Sequence, residues 1–142
     1  MPEVSIIVRT KNEERWVAHC LGMIYKQEFQ DFEVILVDSG SVDHTVQVAK
    51  RFPLAAIINI EKYLPGRSLN EGIRASRGRF IVCLSAHCIP KSKNWLSCLH
   101  RNFDDDEKLA GVYGRQLPTS FTNPLDKRDL LTVFGQDRRL QV

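Results

Sequence analysis

The chain has 142 residues, enough for one domain with a sizeable apolar core. Hydrophobic residues make up 43% of it and charged residues 26%, which excludes wholesale disorder. Its net charge of +3 rests on scattered Lys and Arg, which argues against a dedicated nucleic-acid binder and leaves room for an anionic ligand such as a nucleoside diphosphate.

Val4-Ser5-Ile6-Ile7-Val8 is a β-branched apolar run, as expected of a strand covered on both faces. Asn12 is placed to cap a helix with Glu13 and Glu14 in its first turn. Trp16, Val17, Cys20, Leu21, Ile24 and Tyr25 fall on one helical stripe, read as core. Val34-Ile35-Leu36-Val37 is a second buried strand that ends at Asp38, and Ser39-Gly40-Ser41 turns into a helix from about Asp43 to Arg51. Ala55 to Ile60 reads as a third strand, Ser68 to Arg77 as a helix closed by Gly78, and Phe80 to Leu84 as a fourth strand. Trp95, Leu96, Leu99 and Phe103 mark a further amphipathic helix, Ala110 to Tyr113 a fifth strand, and Leu125 to Phe134 a last helix. The acidic run Asp104-Asp105-Asp106-Glu107 reads as a solvated loop.

No apolar run approaches the roughly 20 residues that span a membrane. Met1-Pro2-Glu3 lacks the basic and apolar regions of a signal peptide, so the expected place is the cytoplasm, with a peripheral position at the inner face of a membrane also in view. Cys20, Cys83, Cys88 and Cys98 then read as free thiols, Cys83 in a strand interior. Without a Cys-x-x-Cys pair, structural zinc is not the expectation.

Strands alternating with helices predict right-handed crossovers and a mostly parallel, Rossmann-like αβα sheet, in which ligands bind beyond the carboxyl ends of the strands. The segments Arg9 to Glu13, Asp38 to Ser41 and Ser85 to Pro90 follow three of those ends and are polar. Asp38 can accept hydrogen bonds from a base or ribose, or can hold its own turn. The first strand is followed by Arg9-Thr10-Lys11-Asn12-Glu13-Glu14, without a glycine, which removes the dinucleotide-binding reading, and no phosphate loop is present. A phosphate-receiver domain would place its acceptor Asp after the third strand and a Lys after the fifth, and neither is found here.

Val4 to Glu14 and Val37-Asp38-Ser39-Gly40-Ser41-Val42-Asp43-His44-Thr45 closely resemble the opening of family 2 glycosyltransferases with the GT-A fold. The likeness continues through Gly66 to Gly72 and Leu84-Ser85-Ala86-His87-Cys88-Ile89-Pro90, in the expected order. It implies one nucleotide-sugar-binding domain over residues 1–142, with the C-terminal acceptor-binding part missing, as in a truncated enzyme or a shortened product. It also implies a donor site of Thr10, Asn12, Glu13, Asp38, Ser39, Asn70 and Ser85. Leu69 stands where the family has an arginine, and Arg67 either supplies that cation or lies on the surface. The family's Asp-x-Asp metal motif is replaced by Ser85-Ala86-His87, where His87 either binds a divalent ion, manganese or magnesium, or hydrogen-bonds a ligand or the backbone.

The implied reaction is inverting transfer of a sugar from a nucleotide-diphosphate sugar to the hydroxyl of a saccharide or lipid-linked acceptor, in polysaccharide or glycoconjugate synthesis. No residue is assigned as the catalytic base. The rival is a non-catalytic nucleotide-sugar-binding module or an inactive fragment of a longer transferase. Self-association is expected if apolar surface is left uncovered.

Overall fold

In the computed structural model, which describes residues 1–61, 64–105 and 108–135, the first apolar run becomes β1 (Val4–Thr10) and the second β2 (Phe32–Asp38). With β3 (Ala56–Asn59) and β4 (Phe80–Ser85) they form one sheet in the order β3-β2-β1-β4, every pairing parallel. The crossovers are carried by α1 (Val17–Ile24), α2 (Thr45–Ala49) and α3 (Pro65–Ala75). These elements lie in a compact unit, Met1–Cys98, and α4 (Trp95–His100) begins there. A second unit, Leu99–Val142, contains α5 (Asn102–Asp105) and α6 (Pro124–Val133).

Alternation along the strands sends side chains to two cores. Val4, Ile6, Val8, Val34 and Leu36 meet Val17, Cys20, Leu21 and Ile24 of α1, Ala49 of α2 and Leu96 of α4 on one face. Ile7, Ile35 and Val37 meet Leu69 of α3 on the other. Each fully buried aliphatic side chain contributes about 1.5–3 kcal/mol, so β1 and β2, apolar on both faces, anchor the unit. The last strand differs. Phe80, Val82 and Leu84 pack on the first core, whereas Ile81 and Cys83 are exposed. Cys83 is therefore not the interior residue expected, because β4 is an edge strand covered on one face.

Three expectations are corrected by local chemistry. The first helix starts at Val17 rather than after Asn12, because Asn12 sits at φ 53° and its Oδ1 accepts from Val42 N at 2.9 Å instead of capping. The helix after β2 spans only Thr45–Ala49. The expected strand from Ala110 to Tyr113 does not form: residues 109–119 have no regular structure, and the short run is interrupted by Gly111 and followed by Gly114. The last helix, Pro124–Val133, matches its sequence signal and is capped by the Asn123 side chain, which accepts from Asp126 N at 3.0 Å. The acidic run was expected to be a loop, but Asp104, which is exposed, and Asp105 end α5, and Asp106 and Glu107 lie outside the described residues.

At the amino end of the sheet a polar clip closes the α3–β4 turn. Buried Glu33 accepts from Ser5 Oγ at 2.7 Å, from Arg77 N at 2.8 Å and from the Arg77 guanidinium at 2.6 and 3.0 Å, while Gly78 N donates to Ser5 Oγ at 2.8 Å. Burial raises the Glu33 pKa, but the Ser5 and Arg77 hydrogen bonds outweigh it and hold the carboxyl below its ordinary range. A depressed folded value contributes stability above about pH 4.3, the unfolded value, and that contribution is lost as pH falls through the folded one. Glu33→Gln is expected to lower the unfolding free energy by about 1.5–3 kcal/mol at neutral pH and to flatten the acid limb, read from urea midpoints across the acidic range.

Gly72 is a packing residue, since a Cβ there would lie 2.5 Å from Ile7 Cγ2 and 3.1 Å from Val37 Cγ2. Gly72→Ala is expected to destabilise by about 1–3 kcal/mol in urea unfolding. Gly66→Ala in the same helix, where nothing lies within 4 Å, should be neutral or stabilising.

Candidate functional site

The sheet order makes the site. The chain builds β1, β2 and β3 toward one side and then returns to place β4 on the other side of β1, so strand order reverses between β1 and β4. Helices diverge at such a switch point and leave a crevice beyond the strand ends. A cavity of about 340 Å³ lies there. The end of β1 contributes Arg9 and Thr10, the following turn Lys11, Asn12 and Glu13, and the end of β4 Ser85 and His87.

Register fixes the neighbours. Thr10 pairs with Asp38 and Arg9 with Ser85, which brings three strand ends side by side. The loop after β1 is sewn to the turn after β2: Asn12 N donates to Ser41 Oγ at 2.9 Å, Val42 N to Asn12 Oδ1 at 2.9 Å, and Glu13 N to Thr45 Oγ1 at 2.7 Å. Asp38 is buried and holds its own turn, accepting from Gly40 N at 3.1 Å, from Ser41 N at 2.9 Å and from Ser41 Oγ. Gly40, at φ 77°, supplies the left-handed residue this turn needs. Of the two readings of Asp38, the structure shows the one in which it holds its own turn, next to Thr10 by register.

Thr10 is the unusual member. It is 3% exposed, and its Oγ1 is the buried side-chain polar atom that lacks a hydrogen-bond partner among the described residues. Such an orphan costs about 1–3 kcal/mol unless a ligand satisfies it.

Other candidates fall elsewhere. Ser39 is buried, with its Oγ 3.4 Å from Ser68 Oγ at the start of α3. Arg67 lines a second cavity, of about 420 Å³, with Asn59, Glu61 and Glu71 at the β3 end of the sheet, so the structure does not bring it to His87. Asn70 is exposed on α3 and lines neither cavity. Sequence reasoning passed over Arg9. Its Nη2 donates to Ser85 Oγ at 2.8 Å inside the first cavity. Its place as the last residue but one of a strand was the available signal.

The sequence pattern of glycosyl transferase family 2 matches residues 5–141. The chain belongs to this family. It is 32% identical over 122 residues to a dolichyl N-acetyl-α-D-glucosaminyl phosphate 3-β-D-2,3-diacetamido-2,3-dideoxy-β-D-glucuronosyltransferase of Methanococcus voltae, across 78% of this chain and 38% of that protein. Among solved structures, Staphylococcus aureus TarS in complex with UDP-GlcNAc superposes with a TM-score of 0.67 at 28% identity, over 83% of this chain and 37% of that one. A Pyrobaculum calidifontis mannosyltransferase in complex with GDP-Man and Mn2+ shares the fold, with a TM-score of 0.67 at 23% identity, over 92% of this chain and 38% of that one. The chain thus spans under two fifths of these proteins.

The manganese of that mannosyltransferase poses a chemical question for this family member. Divalent manganese and magnesium favour carboxylate oxygens, and a histidine ligates only through a neutral ring nitrogen. Here Ser85 is hydrogen-bonded to a guanidinium, Ala86 has no donor side chain, and His87 Nδ1 lies 2.7 Å from Glu13 Oε1. The Cys88 sulfur is the main group holding a proton on that ring; burial opposes it, Glu13 reinforces it, and the imidazole is pushed up to about 9. No group of three or more His, Cys, Asp or Glu able to hold a metal occurs among the described residues. Of Ser85-Ala86-His87, only His87 could ligate a divalent ion, through Nε2, with its Nδ1 held by the Glu13 carboxylate as metal-bound histidines usually are.

Cys20 is buried, its pKa pushed up to about 12 by burial, and its thiol donates to Cys88 O at 3.5 Å, which pins the His87 turn to α1. Because the His87 value lies above the ordinary one of about 6.5, its stabilising contribution is complete below that pH and is lost as pH rises through about 9. An NMR titration of the ring protons is expected to show His87 charged at neutral pH, with a midpoint that falls in Glu13→Gln.

Proposed function

We propose that this chain is the donor-binding part of a glycosyltransferase that moves a sugar from a nucleotide-diphosphate sugar to the hydroxyl of a saccharide or lipid-linked acceptor, in polysaccharide or glycoconjugate synthesis. Family membership supports the class of reaction, and the UDP-GlcNAc complex of TarS supports the class of donor. The observation that carries the reading is the orphaned Thr10 hydroxyl, buried where three strand ends meet beside a cavity of about 340 Å³. That cavity holds part of a nucleotide sugar, and the open rim leaves room for the rest. Asn12, Glu13 and Ser85 line it, and Asp38 shapes the turn beside Thr10. Arg67 and Asn70 do not line the cavity.

Transfer with inversion is a direct displacement: the acceptor oxygen bonds to the anomeric carbon, the bond to the diphosphate oxygen breaks, and a base takes the hydroxyl proton. Glu13, the carboxylate lining the cavity, is paired with His87, so the base is not assigned to it. That pairing favours a second reading of the isolated chain, as a module that binds the donor without turning it over.

No helix among the described residues is long and apolar enough to cross a membrane. A cytoplasmic or membrane-peripheral site of action belongs to the same reading, as does self-association, for which Val42, Leu64, Ile73, Ile81 and Ile89 are among the exposed apolar side chains of the sheet unit.

Thr10→Val tests the carrying observation. Removing an unsatisfied hydroxyl is expected to leave folding unchanged or to stabilise it by about 1 kcal/mol. The thermal shift given by the effective member of a UDP-, GDP- and dTDP-sugar panel is expected to fall in the same variant. A Thr10→Val protein that keeps the full donor shift excludes the hydroxyl from the site.

A further inference from the structure

The second cavity, of about 420 Å³, has room for a nucleobase and lies on the same rim of the sheet as the first. Register puts the two in line: Thr10 pairs with Asp38, and Asp38 with Asn59. β3 therefore ends two strand spacings, about 10 Å, from β1, a separation that an extended nucleoside diphosphate spans. Ile60 N donates to Asp38 O at 2.8 Å, which fixes the exit of β3 and brings Glu61 to the cavity. Arg67 joins it from the first turn of α3 and Glu71 from the next. Glu71 is engaged, its Oε1 accepting from Arg74 Nη1 at 2.8 Å. Arg67 and Glu61 have no hydrogen-bond or ion-pair partner among the described residues.

An unpaired guanidinium and an unpaired carboxylate on one cavity offer a fork of donors and a pair of acceptors together. Guanine answers both. Its O6 and N7 accept side by side, in the geometry of a guanidinium, and its N1–H and 2-amino group donate side by side, in that of a carboxylate. Uracil and thymine have a single ring N–H to give, and adenine lacks the paired O6 and N7 acceptors. We propose that the second cavity takes the nucleobase of the donor and selects guanine, with Arg67 donating to O6 and N7 and Glu61 accepting from N1 and the 2-amino group. The inference rests on the nucleotide-sugar reading above and deepens it by naming the class of donor, a GDP-sugar. Asp38 holds the turn between the two cavities, where the ribose passes, and the diphosphate then reaches the first cavity at Thr10. Arg67 and Glu61 are both exposed, so their substitution acts on the choice among bases rather than on folding.

The experiment measures binding of GDP, inosine diphosphate, UDP and dTDP to the full chain by isothermal titration calorimetry, with manganese chloride present throughout. Hypoxanthine is guanine without the 2-amino group, so inosine diphosphate probes the carboxylate contact on the unaltered chain. GDP is expected to bind about tenfold or more tighter than UDP or dTDP, and about fivefold tighter than inosine diphosphate. Glu61→Gln is expected to bind GDP and inosine diphosphate within about twofold of each other. Arg67→Gln is expected to weaken GDP about tenfold and to leave UDP within about twofold of the parent, and Arg67→Lys, which keeps the charge and loses the fork, to recover little. Far-UV circular dichroism verifies that each variant is folded. UDP or dTDP binding as tightly as GDP, or a preference for GDP that survives both substitutions, overturns the guanine site and leaves the donor reading standing. No binding of any of the four nucleotides overturns both.

Discussion

The position of β1 between β2 and β4 is the constraint on which the site depends. A strand at the centre of a parallel sheet has both hydrogen-bonding edges occupied, so its last residues are flanked on each side by the last residues of a neighbour. Residues separated by 28 positions, Thr10 and Asp38, and by 76 positions, Arg9 and Ser85, become adjacent through register alone. The apolar faces of β1 and β2 hold that register: a slip by one residue would turn Ile6 and Ile7 each into the wrong core.

The two ends of the sheet use polar residues differently. At the amino end, Ser5, Glu33 and Arg77 satisfy one another, and the clip is closed and structural. At the carboxyl end the network of Asn12, Asp38, Ser41 and Thr45 is nearly complete, and Thr10 is left over. A buried hydroxyl without a partner is tolerated where the structure is finished by something else. The same end gathers Arg9 and Lys11 against Glu13, so the incomplete polar network and an excess of positive charge coincide. That coincidence is what an anionic ligand requires, and it gives the family's fold a local chemistry of its own.

Much of the fold was legible in the chain. β-branched runs marked β1 and β2, the helical stripe from Val17 to Ile24 marked α1, and the ordered motifs around Asp38 and Ser85 marked the family and the strand ends that matter. These are local signals, since period and composition act over a few residues at a time. The fifth strand was misjudged because a short apolar run says nothing about whether a partner edge is there to receive it. Asn12 was read as a helix cap because its type permits one, and the competing amide of Val42 lies 30 positions away.

What the sequence by itself determined is which residues stand at strand ends and that they belong to a sugar-transfer family. Only the tertiary structure decided how those residues pair. It set Arg67 beside Glu71 at the far cavity and gave Arg9 to Ser85 and Glu13 to His87. Pairing of side chains across a sheet depends on register and on the angle at which each loop leaves its strand. Those are properties of the packed core, carried by no single stretch of chain.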